Sequence, residues 1–190
     1  MRRTIEQFIE ELRHGLIVAG LNYEIWWVYK EKNSRKRYAG TMNAYSPFFQ
    51  TGIHAHFVAY LVAIYRIYEK RKNTLNIPRL LDMVEKSKRL PHQALTDVKT
   101  LYNEAKPLWL KVFILRNSVF GHRSEALDVT AAFRKADVTP NELKRLITIT
   151  KKLLNKISLN WDRSAHVFEF GSGEAAKRLL EDLRTLHNVP

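Results

Sequence analysis

Glycine and proline are scarce in this 190-residue chain, and they fall between long segments whose apolar residues recur every three to four positions. There are 7 glycines and 6 prolines. Recurrence at that interval places the apolar side chains on one face of an α-helix, whereas strands require alternation. The best strand candidate, Val167-Phe168-Glu169-Phe170, is short. The sequence therefore predicts an all-α fold, a single-domain bundle of about five to seven helices over residues 1–190.

Local signals place the ends of several helices. Thr4 and Gln7 have the spacing of a capping box, as do Thr139 and Glu142, and Ser46-Pro47 pairs an N-cap residue with a proline at the first helical position. The predicted helices run from about Thr4 to Lys30, Ser46 to Lys72, Asn76 to Ser87, Thr139 to Trp161 and Gly173 to His187. Residues 32–45 are predicted to be a loop, and residues 128–138 are either a loop or a short helix. Pro107 either kinks the helix that follows Pro91 or begins the next one.

Composition excludes several classes of protein. There are no cysteines, so neither disulfides nor thiolate metal sites are available. The N-terminus lacks the apolar run of a secretory signal, and the longest apolar stretch, around residues 57–67, is too short and polar to span a bilayer. No Gly-rich phosphate loop and no His-Glu-x-x-His motif occurs. We therefore expect a cytoplasmic protein with no membrane association, no metal and no cofactor.

The net charge is +13, which favours polyanionic partners, chiefly nucleic acid or an acidic protein. The cations outnumber the anions, and many of them are also clustered along the sequence. A competing explanation is that these clusters are solvated helix ends, since cations near a helix C-terminus also interact favourably with the helix dipole. The clusters are Lys30, Lys32, Arg35, Lys36 and Arg37; Lys70, Arg71 and Lys72; Lys86, Lys88 and Arg89; and Lys151, Lys152 and Lys156.

The segment Leu115-Arg116-Asn117-Ser118-Val119-Phe120-Gly121-His122-Arg123 follows an apolar run that resembles the last turns of a core helix. A guanidinium can bind phosphate oxygens through its planar fork and stabilise charge that develops in a transition state. An imidazole can transfer a proton at neutral pH, and no metal is then required. Arg116 and His122 thus suit phosphodiester chemistry, and Asn117 could bind a ribose or orient the histidine.

This motif resembles that of the HEPN superfamily (higher eukaryotes and prokaryotes nucleotide-binding), in which Arg-Asn is followed after four to six residues by histidine near the end of a core helix. The run from Lys106-Pro107-Leu108-Trp109 into the motif, with the basic amphipathic N-terminal half, looks closest to the abortive-infection U-type branch. The resemblance implies a metal-independent endoribonuclease, often a toxin or antiphage factor, whose protomers form a homodimer with both motifs facing one cleft.

Carried over to this sequence, Arg116 would bind and polarise the scissile phosphate of an RNA, His122 would act as acid or base, and Asn117 would orient them. An antitoxin or a nucleotidyltransferase is a further partner that the resemblance implies. Some members carry a tyrosine, two residues after the histidine, that such a transferase modifies. Ser124 occupies that position here, so this mode of control is in doubt.

Six residues along a straight helix separate two Cα atoms by roughly 9 Å and about 120°. Arg116 and His122 converge only if the helix ends at Gly121, if the histidine leans back toward the helix N-terminus, or if a dimer supplies the two groups from different chains. Two other readings remain. One is a catalytically inactive relative that binds a nucleotide, a nucleic acid or an antitoxin, and the other is a structural helical protein in which Arg116 pairs with Glu104 or Glu125.

Overall fold

The computed structural model describes residues 3–71, 73–120 and 129–186, and every regular element within them is helical. There are eight helices in these ranges and no strand; residues 163–171, which include the strand candidate, connect two helices. The predicted all-α class is confirmed, and the helix count exceeds the predicted five to seven. The helices are α1 (Ile5–Lys30), α2 (Lys32–Ala44), α3 (Ser46–Tyr68), α4 (Ile77–Ser87), α5 (His92–Phe120), α6 (Val129–Ala136), α7 (Pro140–Trp161) and α8 (Ser172–Leu186).

The predicted helix starts are confirmed where capping signals are local. Thr4 N–H donates to Gln7 Oε1 at 3.0 Å and Gln7 N–H donates to Thr4 Oγ1 at 3.3 Å, which completes a reciprocal box before α1. Thr139 and Glu142 form the same arrangement before α7, and Asn76 caps α4. These side chains satisfy N–H groups that the first turn of a helix leaves unpaired.

Two predictions about the middle of the chain need correction. Residues 32–44 form a helix rather than a loop, because Glu31 caps it and Tyr38 and Thr41 are buried along it. Helix α5 continues through Pro107, so the alternative in which this proline begins a new helix is wrong, and the alternative of a kink stays a prediction. Both Pro107 and Asn103, whose carbonyl loses its helical donor at a proline, are exposed to solvent. Residues 129–136 form the short helix that the sequence left undecided.

The chain divides into two compact units, and both α1 and α3 contribute residues to each. Unit 1 comprises Met1–Leu16 and Leu61–Phe168, and unit 2 comprises Ile17–Tyr60 and Glu169–Pro190. In unit 1, α5 packs against α6 and α7. The single-domain assignment therefore stays a prediction.

A buried pair of hydroxyls joins α3 to α7 within unit 1. Tyr68 and Thr150 are both essentially inaccessible to solvent, and their oxygens lie 2.7 Å apart. Thr150 Oγ1 donates to the Leu146 carbonyl at 2.6 Å, so its single proton is used there and Tyr68 is the donor to Thr150. Burial raises the pKa of Tyr68 well above its usual value, which keeps the phenol protonated for this role.

Unit 2 is held by aromatic and aliphatic side chains from four helices. Its buried cluster consists of Val28, Tyr29, Tyr38, Phe49, Ala176 and Leu180, which come from α1, α2, α3 and α8. Trp26 stacks on Phe57 in this unit at 5.1 Å between ring centroids. Trp26 is buried, whereas its neighbour Trp27 is half-buried.

Candidate active site

The candidate site lies near the C-terminal end of α5, where half-buried polar residues stand between buried positions. Val112 and Leu115 are completely buried, and Ser118 is buried one turn later. Arg116 and Asn117 lie between these positions and are half-buried. Two polar side chains therefore lie at the edge of the apolar face through which α5 packs.

Arg116 is held by an aromatic ring and by the neighbouring amide. Its Cζ lies 4.9 Å from the centroid of the Tyr65 ring, and its Nη1 donates to Asn117 Oδ1 at 3.0 Å. A guanidinium that stacks on a ring uses its face for that contact, so hydrogen bonding falls to the N–H groups on its edge. The contact with Asn117 is of the kind expected of an orienting residue.

Tyr65 in turn belongs to an aromatic group that spans α3 and α5. Its ring stacks on Trp109 with centroids 6.2 Å apart and on Phe113 at 6.1 Å. Trp109 is buried, and Phe113 closes the triangle at 5.9 Å from Trp109. Two neighbouring rings therefore limit the movement of the ring that supports Arg116.

The apolar run before the motif is not wholly a core segment, contrary to the sequence prediction. Leu108, Trp109 and Val112 are buried, whereas Leu110 is 45%, Phe113 37% and Ile114 37% exposed. The exposed residues are spaced at i, i+3 and i+4, and Asn117 follows at i+7 on the same face of the helix. Sequence periodicity missed this division because α5 is apolar on both sides at this point.

His122 lies outside the described residues, as do Ser124 and Glu125, so the convergence of His122 with Arg116 stays a prediction. No ion pair joins Arg116 to Glu104, the other carboxylate considered as its partner, in the described part of α5. Tyr65 is a candidate site residue that the sequence analysis missed. It lies on a different helix, and no local motif marks it.

Other polar groups in unit 1 have structural partners. Ser158 Oγ lies 3.0 Å from His166 Nε2, and Asn155 pairs with the backbone of His166 through two hydrogen bonds. Within residues 3–71, 73–120 and 129–186, no three His, Asp or Glu side chains cluster as metal ligands would. No helix in these ranges is long and apolar enough to cross a bilayer.

Comparison with known proteins gives one match. A model of the HEPN family described as AbiU2 matches residues 3–181, which is nearly the whole chain. No curated protein and no solved structure gives a significant match.

Proposed function

Because the chain belongs to the AbiU2 family of the HEPN superfamily, we propose that it is a metal-independent endoribonuclease that acts as a toxin or an antiphage defence factor. The observation that carries this proposal is the pair of contacts made by the Arg116 guanidinium. This half-buried guanidinium lies over the Tyr65 ring and donates a hydrogen bond to Asn117. A preorganised cation of this kind stabilises charge in a transition state without the cost of ordering it during the reaction.

The proposed reaction is an internal transesterification of RNA. The ribose 2′-oxygen attacks the adjacent phosphorus, the bond from phosphorus to the 5′-oxygen breaks, and a 2′,3′-cyclic phosphate and a 5′-hydroxyl result. The 2′-hydroxyl loses one proton and the leaving oxygen gains one. In this scheme His122 transfers a proton, Arg116 binds the non-bridging phosphate oxygens, and Asn117 keeps the guanidinium oriented.

The exposed apolar face of α5 supports a homodimer. Leu110, Phe113 and Ile114 are each more than one third exposed, and they lie within two turns of Arg116. Contiguous exposed apolar side chains of this kind mark interaction surfaces. We propose that two copies pair through this face, so that both motifs border one cleft. An antitoxin or a nucleotidyltransferase would act on this dimer.

The first experiment measures RNA cleavage by the purified protein in excess chelator, with the ends of the products mapped. We expect cleavage with 2′,3′-cyclic phosphate ends, and a loss of about 100-fold or more in Arg116→Ala and His122→Ala. Lys86→Gln, which changes a surface cation on α4, should cleave at the wild-type rate. Wild-type activity in both site variants would contradict the assignment. Binding of RNA without cleavage of varied substrates would instead identify an inactive relative.

Mixing the two inactive variants tests whether one site uses residues from two chains. Arg116→Ala and His122→Ala subunits, dissociated and reassociated in equal amounts, form heterodimers as half of the dimers. Each heterodimer would hold one composite site with both groups, so about a quarter of the wild-type activity should return. No recovery in proven heterodimers would place Arg116 and His122 of the same chain together.

A further inference from the structure

Each of the three later cation clusters has at least one member in a contact within unit 1, although Lys70, Lys88 and Lys152 form no side-chain ion pair or hydrogen bond in the described part of the chain. Lys86 pairs with Asp82 at 2.7 Å, Arg89 lies over the Trp161 ring at 4.6 Å, and Lys156 pairs with Asp97 at 2.6 Å. Arg71 lies 3.7 Å from Glu69, and Lys151 donates to the Phe168 carbonyl at 2.8 Å. These cations already have partners within the fold, so they are less available to bind an external anion.

The first cluster, in unit 2, differs. Of its five cations only Arg37 forms an ion pair, at 3.0 Å from Glu181. Lys30, Lys32, Arg35 and Lys36 are exposed, and no side-chain ion pair or hydrogen bond engages them in the described part of the chain.

Three of these cations share one face of α2. Lys32, Arg35 and Lys36 are separated by three and four residues, the spacing that aligns side chains on a helix. Buried Thr41 lies on the opposite side of α2, buried Tyr38 and half-buried Met42 lie between Thr41 and Arg35, and α2 packs against α8. We call Lys32, Arg35 and Lys36 the α2 basic face.

The stability of α2 does not explain this charge. Lys32 lies in the first turn, where the positive end of the helix dipole disfavours a cation, and the only carboxylate in the sequence at this end of α2 is that of the N-cap residue Glu31. Like charges three and four residues apart also repel one another. The helix dipole stabilises cations at a helix C-terminus, whereas it destabilises a cation at the N-terminus of α2.

The rest of unit 2 holds α2 in place against these repulsions. The Glu31 carboxylate accepts hydrogen bonds from the Asn33 and Ser34 N–H groups at 2.9 Å each, which lowers the pKa of Glu31 and caps the helix. Arg37 pairs with Glu181 of α8, whose pKa is lowered chiefly by the hydrogen bond from Arg184 and also by that from Arg37. The fold thus presents three uncompensated cations to solvent on a rigid helix.

From these observations we infer that the α2 basic face binds the phosphate backbone of RNA. This site is distinct from the Arg116 motif, and it rests on the proposed function in that its ligand is the RNA that the Arg116 site cleaves. Cations spaced along a helix suit a chain of phosphates, because each contact releases counterions regardless of base sequence. An anionic membrane is a poorer fit, since a membrane-surface helix needs exposed apolar side chains and those of α2 pack inward.

The test compares two triple variants of the full-length protein. Lys32→Gln/Arg35→Gln/Lys36→Gln removes the α2 basic face, and Lys86→Gln/Lys99→Gln/Lys156→Gln removes three cations that are already paired with carboxylates. Both change the net charge equally. The ligand is a single-stranded 2′-O-methyl RNA, which cannot form the cyclic phosphate, so binding is measured whether or not the protein cleaves RNA.

We expect the α2 variant to lower the slope of log affinity against log salt by about 2, which corresponds to roughly 100-fold weaker binding at about 0.1 M salt. The paired-cation variant should bind nearly as the wild type does, and Lys32→Arg/Lys36→Arg should retain binding. The α2 variant should unfold at a temperature no lower than the wild type, since the repulsions are relieved. If the α2 variant unfolds earlier, the three single glutamine variants are measured instead, provided that they unfold as the wild type does. Each of them should lower the salt slope by about 0.7.

Equal salt slopes for the two triple variants would overturn the inference, as would loss of binding to phosphatidylserine vesicles with RNA binding intact. Loss of binding only to an acidic protein partner would overturn it too. Failure of the chain to cleave any RNA would contradict the proposed function alone, because the salt slope on the uncleavable RNA still decides whether the α2 basic face binds it.

Discussion

The guanidinium of Arg116 lies 4.9 Å from the centroid of the Tyr65 ring, which places the candidate catalytic arginine of α5 over an aromatic side chain of α3. An isolated arginine at a helix end samples many rotamers, and ordering them during catalysis costs free energy. The contact with Tyr65 and the hydrogen bond to Asn117 reduce that cost in advance. We therefore propose that Tyr65 is a positioning residue that acts through Arg116.

Two substitutions of Tyr65 distinguish the contribution of its ring from that of its hydroxyl. Tyr65→Phe keeps the ring face and should retain cleavage within about threefold, whereas Tyr65→Ala should lower kcat by roughly 10-fold, the weight of a partly desolvated cation–π contact. KM should change less than kcat, because phosphate binding by other cations persists. Single-turnover cleavage at saturating RNA measures the effect. If the Phe and Ala variants lost activity equally at matched folded fractions, positioning by the ring would be excluded.

Two glycines of α1 should respond to the same substitution with opposite signs. A Cβ at Gly15 would meet Ile67 side-chain atoms at 3.7 and 3.8 Å, which is ordinary contact, and a Cβ at Gly20 would fall 2.0 Å from Phe170 ring atoms. Gly15→Ala should stabilise the protein by about 0.5–1 kcal/mol through helix propensity. Gly20→Ala should destabilise it, because the half-buried ring must move. Urea unfolding of both variants gives the comparison, and stabilisation by Gly20→Ala would contradict the packing.

The carboxylate of Glu142 should make stability depend on acidic pH. The Lys111 ammonium at 2.8 Å, followed by the Thr139 N–H, holds the pKa of Glu142 below its usual value. A folded-state pKa below the unfolded one adds stability that is complete above the unfolded value, about 4.3, and is lost as the pH falls through the folded value. Glu142→Gln should therefore cost about 0.5–1 kcal/mol at neutral pH through the lost charge beside Lys111 and the helix N-terminus, because a glutamine can still complete the capping box as Gln7 does before α1.

That difference between wild type and Glu142→Gln should shrink as the pH falls below about 4.3, because both chains then carry a neutral group at this position. Thermal melts from pH 3 to pH 7 follow it. Asp82→Asn, which removes an exposed partner of Lys86 on α4, is the control, and it should change the melting temperature little at any pH. A difference between wild type and Glu142→Gln that stayed constant with pH would contradict the role of the ionised carboxylate.

The sequence predicted the features that depend on neighbouring residues. The boxes at Thr4 and Thr139 act within one turn, so the starts of α1 and α7 were found from spacing alone. Helix α2 was missed because its local sequence opposes a helix, with adjacent cations at its start and Gly40 in its interior. Burial of Tyr38 and Thr41 stabilises it together with the Glu31 cap, and the exposed ion pair from Arg37 to Glu181, far along the chain, adds little.

The same distinction applies to the candidate site. Arg116 and Asn117 were identified because they are adjacent to each other in a short motif. Tyr65 was not, because its contact with Arg116 depends on how α3 packs beside α5, and periodicity carries no information about that pairing. The exposed face formed by Leu110, Phe113 and Ile114 was also missed, since the sequence does not distinguish a partly exposed apolar residue from one in the core.

A charge on that exposed face should separate the proposed dimer. Leu110→Glu and Ile114→Glu would place a carboxylate where a second copy packs, and an unpaired buried charge is costly enough to prevent association. Both side chains are accessible in the single chain, so the folded protomer should tolerate either change. We expect a protomer mass in light scattering and at least about 10-fold slower cleavage, because one chain lacks the partner's half of the cleft. Leu159→Glu on α7, 49% exposed, should stay dimeric and active. A wild-type protein that is monomeric yet fully active, or a dimer that survives both charges, would show that α5 does not form the interface.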